Sequence, residues 1–294
     1  KFGINTTCVH VGEVRDEQFK GAVSPIYTST SYAFDGVDVK RYPRYFNTPN
    51  QEMLRKKIAA LEKTEDALIF GSGMGAISAA LFAFLEKGDH VVVQQVIYGG
   101  TYNFIVSEFE KFGIEYSFTE SDKAEDFKAL IKKNTKVLYI ETPSNPLLGI
   151  TDMKAISALA KEYKILTMID NTFASPINQT PVDFGIDIML HSATKYMGGH
   201  SDISAGVIAA SREHIEQIWK TAINLGGNLS DHTVWLLERS LKTLNLRVKE
   251  QTKNAQEMAN YLDKNTNIDK VYYPGLSNHP GFEIAKKQML GFGA

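Results

Sequence analysis

A single lysine stands among small and hydroxylic residues in residues 187–200, directly after a short apolar run. The run at residues 186–190 predicts a buried strand, and Ser192, Thr194 and Lys195 follow it. An amine that is partly removed from water at the mouth of a sheet can act as a nucleophile. This pattern is typical of a lysine that carries pyridoxal phosphate as a Schiff base, with the hydroxyls on the phosphate. The alternative is a strand-end lysine that extends its ammonium group into water.

A second stretch with possible chemistry is the glycine-rich run at residues 71–75, between a predicted strand and an apolar helix. Its backbone N–H groups and the start of the helix could bind an anion. With Ala76 the spacing also fits the G-x-G-x-x-A pattern of dinucleotide-binding proteins. The acidic ribose partner of that pattern is missing, because Asp89 precedes the next strand and Gln94 and Gln95 end it. The sequence therefore favours a phosphate over NAD.

Polar residues recur where predicted strands end, namely Tyr98, Glu141, Asn145, Asp170 and Lys195. Strands alternate with helices along this part of the chain, which predicts an α/β fold with a mainly parallel sheet. In such sheets ligands bind outside the carboxyl ends of the strands. We therefore expect these residues to share one site.

Two of these residues have roles that the residue type alone suggests. Asp170 ends a buried strand, where a carboxylate opposite a pyridine nitrogen would keep that nitrogen protonated. Its alternative role is to cap the turn that follows. Tyr98 precedes two glycines and could lie flat against a planar ring, or it could be an ordinary loop tyrosine.

The N-terminal part of the chain predicts an arm followed by an aromatic and basic cluster. Residues 1–41 show no strong period, and such arms often wrap a partner subunit. Tyr42 and Arg44 come next, and Arg44 could bind a phosphate or carboxylate, or simply pack on tyrosines at the surface. Pro49 suits the first turn of the next helix. We expect an arm at 1–47, a large domain at 48–240 and the start of a small domain at 241–294.

The remaining pattern predicts several further elements. Residues 232–262 have helical periodicity over a length beyond that of ordinary helices, so we expect a break. The other predicted elements are helices at 104–112, 124–132, 153–163, 213–223 and 283–290, and strands at 90–94, 137–140, 165–169, 203–209 and 268–273.

Composition excludes several classes of protein. The 294 residues carry a net charge of −2 with scattered Lys and Arg, which indicates neither nucleic acid nor an anionic membrane as partner. The single cysteine, Cys8, excludes an intrachain disulfide, and the seven histidines lack metal-ligand spacing, so we expect no metal. The apolar runs are too short to span a membrane. We expect a cytoplasmic protein.

Together these motifs resemble the Cys/Met-metabolism, or transsulfuration, enzymes that use pyridoxal phosphate. That family includes cystathionine γ-synthase, cystathionine γ- and β-lyases, methionine γ-lyase and O-acetylhomoserine sulfhydrylase. The matching segments, in the family's order and spacing, are residues 73–74, 98–101, 141–146, 170–173 and 191–196. The resemblance implies an aspartate aminotransferase-like fold of type I, with an N-terminal arm and an incomplete small C-terminal domain.

The resemblance also implies a role for each candidate residue. Lys195 would hold the cofactor and move protons, Asp170 would pair with the pyridine nitrogen, and Tyr98 would stack on the ring. Asn145 would lie near the ring hydroxyl. The phosphate would be bound by the backbone amides of Gly73 and Met74 and the hydroxyls of Ser192 and Thr194. Family members are tetramers built from dimers, in which Tyr42 and Arg44 would reach the neighbouring subunit's phosphate.

Two departures from the family pattern bear on activity and local structure. The family usually reads Asn-Pro-Thr where this chain has Asn47-Thr48-Pro49. Well-known methionine γ-lyases carry a cysteine where Gly100 stands, which lowers the weight of that activity. Family members also continue well past Gly291, so we expect a longer protein whose further part supplies the arginine for the substrate carboxylate.

The sequence slightly favours a carbon–sulfur lyase of the cystathionine γ/β-lyase type over γ-replacement, with methionine γ-lyase as another alternative. From other classes, a nucleotide-binding dehydrogenase that uses residues 71–76 and a non-catalytic interaction protein without cofactor also remain open.

Overall fold

A computed structural model describes residues 2–293 and shows helices alternating with short strands. Strands β1 to β7 are Asp66–Phe70, His90–Val93, Glu115–Phe118, Thr135–Glu141, Leu166–Asp170, Ile188–His191 and Gly206–Ala210. Helices α1 to α11 are Ile4–His10, Pro49–Glu62, Gly73–Phe84, Gly99–Phe112, Ala124–Leu130, Met153–Tyr163, Ser175–Asn178, Arg212–Leu225, Asp231–Leu241, Leu244–Leu262 and Phe282–Gln288.

The strands form a seven-stranded sheet in the order β1-β7-β6-β5-β4-β2-β3. β2 pairs in parallel with β3 and β4, and β4 pairs in parallel with β5, whereas β1 and β7 are antiparallel. The interior strands β2 and β4 are almost wholly buried and contain the apolar runs 91–93 and 137–140, as parallel strands covered on both faces usually do. The α/β class and the mainly parallel sheet predicted from the sequence are therefore confirmed.

The chain divides into two compact units. The first contains the described residues up to Ala83 together with Leu190–Asn245. In it α2 buries Leu54 and Ile58, and Phe70 of β1 contacts Phe46 with ring centroids 5.1 Å apart. Helix α2 begins with Thr48 as its N-cap in a capping box with Gln51. Pro49 takes the first helical position, which confirms the prediction that it lies in the first turn of this helix. Where the family usually reads Asn-Pro-Thr, the backbone of this chain thus forms the N-cap and first residue of α2.

The second unit contains Phe84–Met189 and the described residues from Leu246 onward. Its core is formed by the parallel strands β2, β4 and β5 with the apolar faces of α4 and α6. Ile105 and Phe109 of α4 and Met153 and Ile156 of α6 are fully buried. Asp152 caps α6 by accepting the N–H of Ala155 at 3.0 Å.

Most predicted elements are present, and two predictions about the later part of the chain have opposite outcomes. The expected break in the long helical stretch is confirmed, because α9 ends at Leu241 and α10 begins at Leu244. The strand predicted at 268–273 is wrong, since these residues form a bend and coil. No strand among residues 2–293 pairs with them, and Tyr273 instead packs with Ala259 and Leu276.

Helix α1 and strand β3 were not predicted. β3 has only four residues, lies at the edge of the sheet and begins with the exposed Glu115, so it lacks both an apolar run and an alternation. Residues 15–42 contain no helix or strand, and the division into arm, large domain and small domain stays a prediction. Within residues 2–293, none of the helices combines the length and apolar character needed to cross a membrane.

Candidate active site

The glycine turn lies in the first unit, between β1 and the start of α3. The Ser72 hydroxyl accepts the N–H of Gly75 at 3.0 Å, and α3 begins at Gly73. A Cβ at Gly73 would stand 2.9 Å from the Cβ of Ser192, so only glycine allows this approach. Gly73 and Met74 occupy the first turn, where an α-helix leaves N–H groups without intrahelical acceptors. The turn can therefore bind an anion beside Ser192.

The start of β7 holds this turn in place. A Cβ at Gly206 would lie 2.0 Å from the carbonyl oxygen of Ser72, which requires glycine there. The Ser204 hydroxyl donates to the carbonyl of Gly71 at 2.9 Å. The close approach of two backbones thus fixes the direction of the N–H groups that begin α3.

Lys195 lies in a turn that directly follows the buried strand β6. Its backbone N–H donates to the carbonyl of Ser192 at 3.1 Å, and its carbonyl accepts the backbone N–H of Gly199 at 2.7 Å. The Thr194 hydroxyl donates to the carbonyl of Ala205 at 3.1 Å and accepts its N–H at 3.0 Å. Lys195 is exposed rather than partly desolvated as expected, because the turn carries it past the buried end of the strand.

A buried pair that the sequence did not indicate lies next to this segment. His191, the last residue of β6, is 2% exposed, and its Nε2 lies 2.5 Å from Oε1 of Glu62 at the end of α2. The Glu62 side chain is fully buried, and its Oε2 has no hydrogen-bond partner among the described residues. This pair links α2 to the residue immediately before Ser192.

Glu62→Ala is expected to destabilise the fold by about 3 kcal/mol, because it leaves a buried imidazole without its partner and opens a cavity. Urea unfolding followed by circular dichroism measures this loss. Glu216→Ala, which removes an exposed helical glutamate of α8, is the matched control and should stay within about 0.5 kcal/mol of the parent. A Glu62→Ala chain as stable as the control would show that the pair contributes nothing.

Arg44 and Tyr42 lie at the surface of the first unit, where Arg44 is the middle residue of the short 3₁₀ helix Pro43–Tyr45 and Tyr42 is its N-cap. Arg44 Nη1 donates to the carbonyl of Ile223 at 2.6 Å. Its guanidinium carbon lies 5.6 Å from the Tyr42 ring centroid and 5.3 Å from that of Tyr45. The packing on tyrosines that the alternative interpretation predicted is therefore present in the single chain.

In the second unit, three of the predicted site residues gather around Glu141 at the carboxyl end of β4. Its Oε2 accepts the backbone N–H of Tyr98 at 2.7 Å, and its Oε1 accepts that of Asn145 at 2.8 Å. Asp170, the last residue of β5, is its register partner in the parallel ladder. Both carboxylates are only 5% exposed.

Two acidic groups side by side in a buried place cannot both ionise easily. Burial, and then the negative charge of Asp170, raise the pKa of Glu141 to about 8, although the N–H groups of Tyr98 and Asn145 oppose that shift. Glu141 can therefore hold a proton near neutral pH. Asp170 Oδ1 also accepts the N–H of Thr172 at 3.0 Å, so the turn-capping contact of the alternative interpretation is present.

Tyr98 presents its ring at the N-terminus of α4, where 48% of the residue is exposed. A Cβ at Gly100 would lie 2.4 Å from the ring, so this ring occupies the space that a side chain at position 100 would need. The observed position of the Tyr98 ring therefore requires glycine at position 100.

Each unit thus presents one kind of binding surface. The first brings Gly73 close to Ser192 and carries Lys195 in the adjoining turn, which suits an anion beside an amine. The second brings Tyr98, Asn145 and Asp170 around Glu141, which suits a planar group with a protonated nitrogen. The sequence named every one of these residues, but it assigned no role to Glu141 and did not indicate Glu62 or His191.

The dinucleotide-binding alternative fits the fold poorly. In that class the glycine motif follows a strand inside a parallel sheet. Here the motif follows β1, which lies at the sheet edge and is antiparallel to β7. The described residues also contain no group of three His, Cys, Asp or Glu side chains arranged to hold a metal ion.

Comparison with known proteins gives matches over nearly the whole chain. A family model described as Cys/Met metabolism PLP-dependent enzyme matches residues 5–294. The chain is 42% identical over 294 residues to a cystathionine beta-lyase of Lactococcus lactis subsp. cremoris, covering 99% of this chain and 77% of the relative. It is 40% identical over 308 residues to an L-methionine gamma-lyase of Fusobacterium nucleatum, covering 100% of this chain and 78% of the relative.

A solved structure shows the same fold. Cystathionine gamma synthase from Xanthomonas oryzae pv. oryzae, in complex with aminoacrylate and cysteine, matches with a TM-score of 0.95 at 37% identity. The match covers 100% of this chain and 77% of that structure's chain. The similarity in sequence therefore extends to the path of the backbone.

Proposed function

Because this chain belongs to the Cys/Met metabolism PLP-dependent enzyme family, we propose that it is a carbon–sulfur lyase acting on cystathionine or a related sulfur amino acid. The reaction would be a β- or γ-elimination. Two relatives at 40% identity or more are a cystathionine beta-lyase and an L-methionine gamma-lyase, which supports cleavage over replacement. The observation that carries the proposal is Lys195, which stands in an open turn directly after a buried strand and close in sequence to Ser192 and Thr194.

The described residues fit pyridoxal phosphate. The glycine at 73 leaves room that a Cβ would fill, beside Ser192 and the first turn of α3, which suits a phosphate. The buried Asp170 suits a cationic ring nitrogen, because a carboxylate in such a place is stabilised by a positive partner. When bound, the cofactor supplies an electron sink for negative charge at the substrate α-carbon.

We assign the following roles to the chain's own residues. Lys195 would hold the cofactor through Nζ and, once the substrate amine displaces it, would remove the α-proton. Asp170 would keep the ring nitrogen protonated, and Tyr98 would cover one face of the ring. The phosphate would be held by the amides of Gly73 and Met74 with Ser192 and Thr194, and Asn145 would face the ring hydroxyl.

A substrate comparison tests the proposed activity. Cystathionine, methionine, and O-acetylhomoserine with cysteine are each supplied to the protein with pyridoxal phosphate, and keto acid and thiol are measured. We expect cystathionine to release both, with pyruvate and homocysteine from β-cleavage or 2-oxobutyrate and cysteine from γ-cleavage. Formation of cystathionine from O-acetylhomoserine, with no cleavage, would replace the lyase by γ-replacement. No reaction with any substrate would overturn the proposed activity.

The proposed assembly is a homotetramer in which Tyr42 and Arg44 serve the neighbouring subunit. Arg44 is exposed and carries two ring contacts that hold its guanidinium near the surface, which supports such a role. The expected compartment is the cytoplasm, supported by a composition with a single cysteine and no disulfide framework.

Arg44→Ala is expected to weaken cofactor retention, because it removes a charge-assisted contact to the phosphate. If Arg44 acts across a two-fold interface, mixing inactive Arg44→Ala and Lys195→Ala chains should restore roughly a quarter of the sites, since half the dimers are hybrids with one intact site. Each variant incubated alone is the control. An absence of recovery after confirmed subunit exchange would place Arg44 outside the neighbour's site.

A further inference from the structure

Glu141 is a buried carboxylate whose two oxygens are both engaged by backbone groups of other proposed site residues. Oε2 accepts the N–H of Tyr98 at 2.7 Å and Oε1 accepts the N–H of Asn145 at 2.8 Å. Burying a carboxyl group is costly unless its oxygens are bonded, and these two contacts reduce that cost. The side chain therefore joins the start of α4, 43 residues earlier in the chain, to the loop that directly follows β4.

The contact with Tyr98 fixes the start of α4. Tyr98 is the N-cap of this helix, and no side chain caps it in the usual way. A carboxylate at a helix N-terminus is favoured by the helix dipole. The backbone nitrogen that Glu141 binds is attached to the Tyr98 Cα. The Glu141 side chain therefore fixes the position of this Cα, from which the exposed ring extends.

The contact with Asn145 fixes a loop in the same way. The loop contains Asn145 between the buried residues Ser144 and Ile150, and its own backbone closes through the N–H of Ser144 on the carbonyl of Gly149 at 3.0 Å. Asn145 is half-buried, and its N–H points to Glu141.

Glu141 is itself held from below by Gln94. The fully buried Gln94 accepts the backbone N–H of Glu141 at 3.0 Å and the hydroxyl of Thr151 at 2.9 Å through the same oxygen. Its Nε2 donates to the carbonyl of Val96 at 3.2 Å. The glutamate is therefore a rigid support, because both its backbone and its carboxylate are fixed.

We propose that Glu141 is a positioning residue that sets the place of the Tyr98 ring and the Asn145 side chain against the cofactor. The inference rests on the proposed function, since both partners have their roles only in that site. Glu141 makes no contact with substrate in this account and acts only through its two backbone partners.

The first test needs no cofactor. Hydrogen–deuterium exchange of the peptides that contain Tyr98 and Asn145 is compared in the parent, Glu141→Gln and Glu141→Asp. Glutamine replaces one acceptor oxygen by a donor, so at least one of the two peptides should exchange faster in Glu141→Gln. Aspartate is too short to reach both N–H groups, so exchange should also be faster in Glu141→Asp. Glu125→Gln, an exposed change in the same unit, is the control and should leave exchange unaltered. Unaltered exchange in both Glu141 variants would overturn the proposal.

The second test separates positioning from a general structural role. Glu141→Gln should raise the dissociation constant for pyridoxal phosphate about tenfold in the parent, but by less than about twofold when Tyr98 and Asn145 are both alanine. A purely structural role would give the same factor in both backgrounds, and that result would overturn the proposal. Binding of the cofactor by the parent chain alone tests the proposed function, so the two failures are distinguishable.

Discussion

Lys195→Ala is expected to reduce turnover by more than about a thousandfold, or ~4 kcal/mol of barrier. The size of the loss follows from two proposed roles of one amine, which holds the cofactor and removes the α-proton. The fold should be retained, because Lys195 is exposed and lies in a turn rather than in the core. Steady-state release of keto acid from the best substrate, with circular dichroism as a check on folding, measures the effect.

The matched control is Lys220→Ala, which removes an exposed lysine from α8. It should leave turnover and folding as in the parent, so that a loss in Lys195→Ala cannot be assigned to loss of surface charge. A folded Lys195→Ala protein with activity within about tenfold of the parent, roughly 1.4 kcal/mol, would exclude the assigned roles.

Asp170→Asn is expected to slow removal of the substrate α-proton by on the order of a hundredfold, about 2.7 kcal/mol. An amide carries no charge to keep the ring nitrogen protonated, and the electron sink is weakened as a result. The amide oxygen can still accept the N–H of Thr172, so the turn after β5 should survive. This separates the proposed electrostatic role of Asp170 from its turn contact.

Exchange of the substrate α-hydrogen with deuterated solvent, followed by NMR, reports this step directly. Asp152→Asn is the matched control, because asparagine replaces aspartate as an N-cap of α6 at little cost. Exchange at the parent rate in Asp170→Asn would assign Asp170 to the turn alone.

The sequence predicts the sheet well where strands are buried runs and poorly where they are not. β2 and β4 each contain a run of apolar residues, 91–93 and 137–140, that the fold buries, so composition alone identifies them. β3 lies at the sheet edge and carries an exposed glutamate in its first position, so neither a run nor a period marks it.

Residues 268–273 show the opposite error. Ile268, Val271 and Tyr273 have the composition of a strand, yet a strand exists only beside a partner that completes its hydrogen bonds. Among the described residues the Tyr273 hydroxyl instead donates to the carbonyl of Gly293 at 3.0 Å, and the segment stays irregular. Local propensity cannot show whether a partner strand is available.

The site residues that lie at or just after the carboxyl ends of strands could be predicted from the sequence. Asp170 ends a buried strand and Lys195 follows another, and the carboxyl ends of parallel strands are where ligands bind. The bond between Glu62 and His191 joins residues 129 positions apart, and that between Tyr98 and Glu141 joins residues 43 apart. Such contacts depend on the packed fold, and no spacing in the sequence indicates them.

The central claim is that Lys195 holds pyridoxal phosphate, and borohydride trapping tests it most directly. The protein is incubated with the cofactor, reduced, digested and mapped by mass spectrometry, with Lys195→Ala treated in parallel. We expect a phosphopyridoxyl group on Lys195 in the parent and no specific label in the variant. A parent protein without label, or one labelled at another lysine to the same extent in both chains, would contradict it.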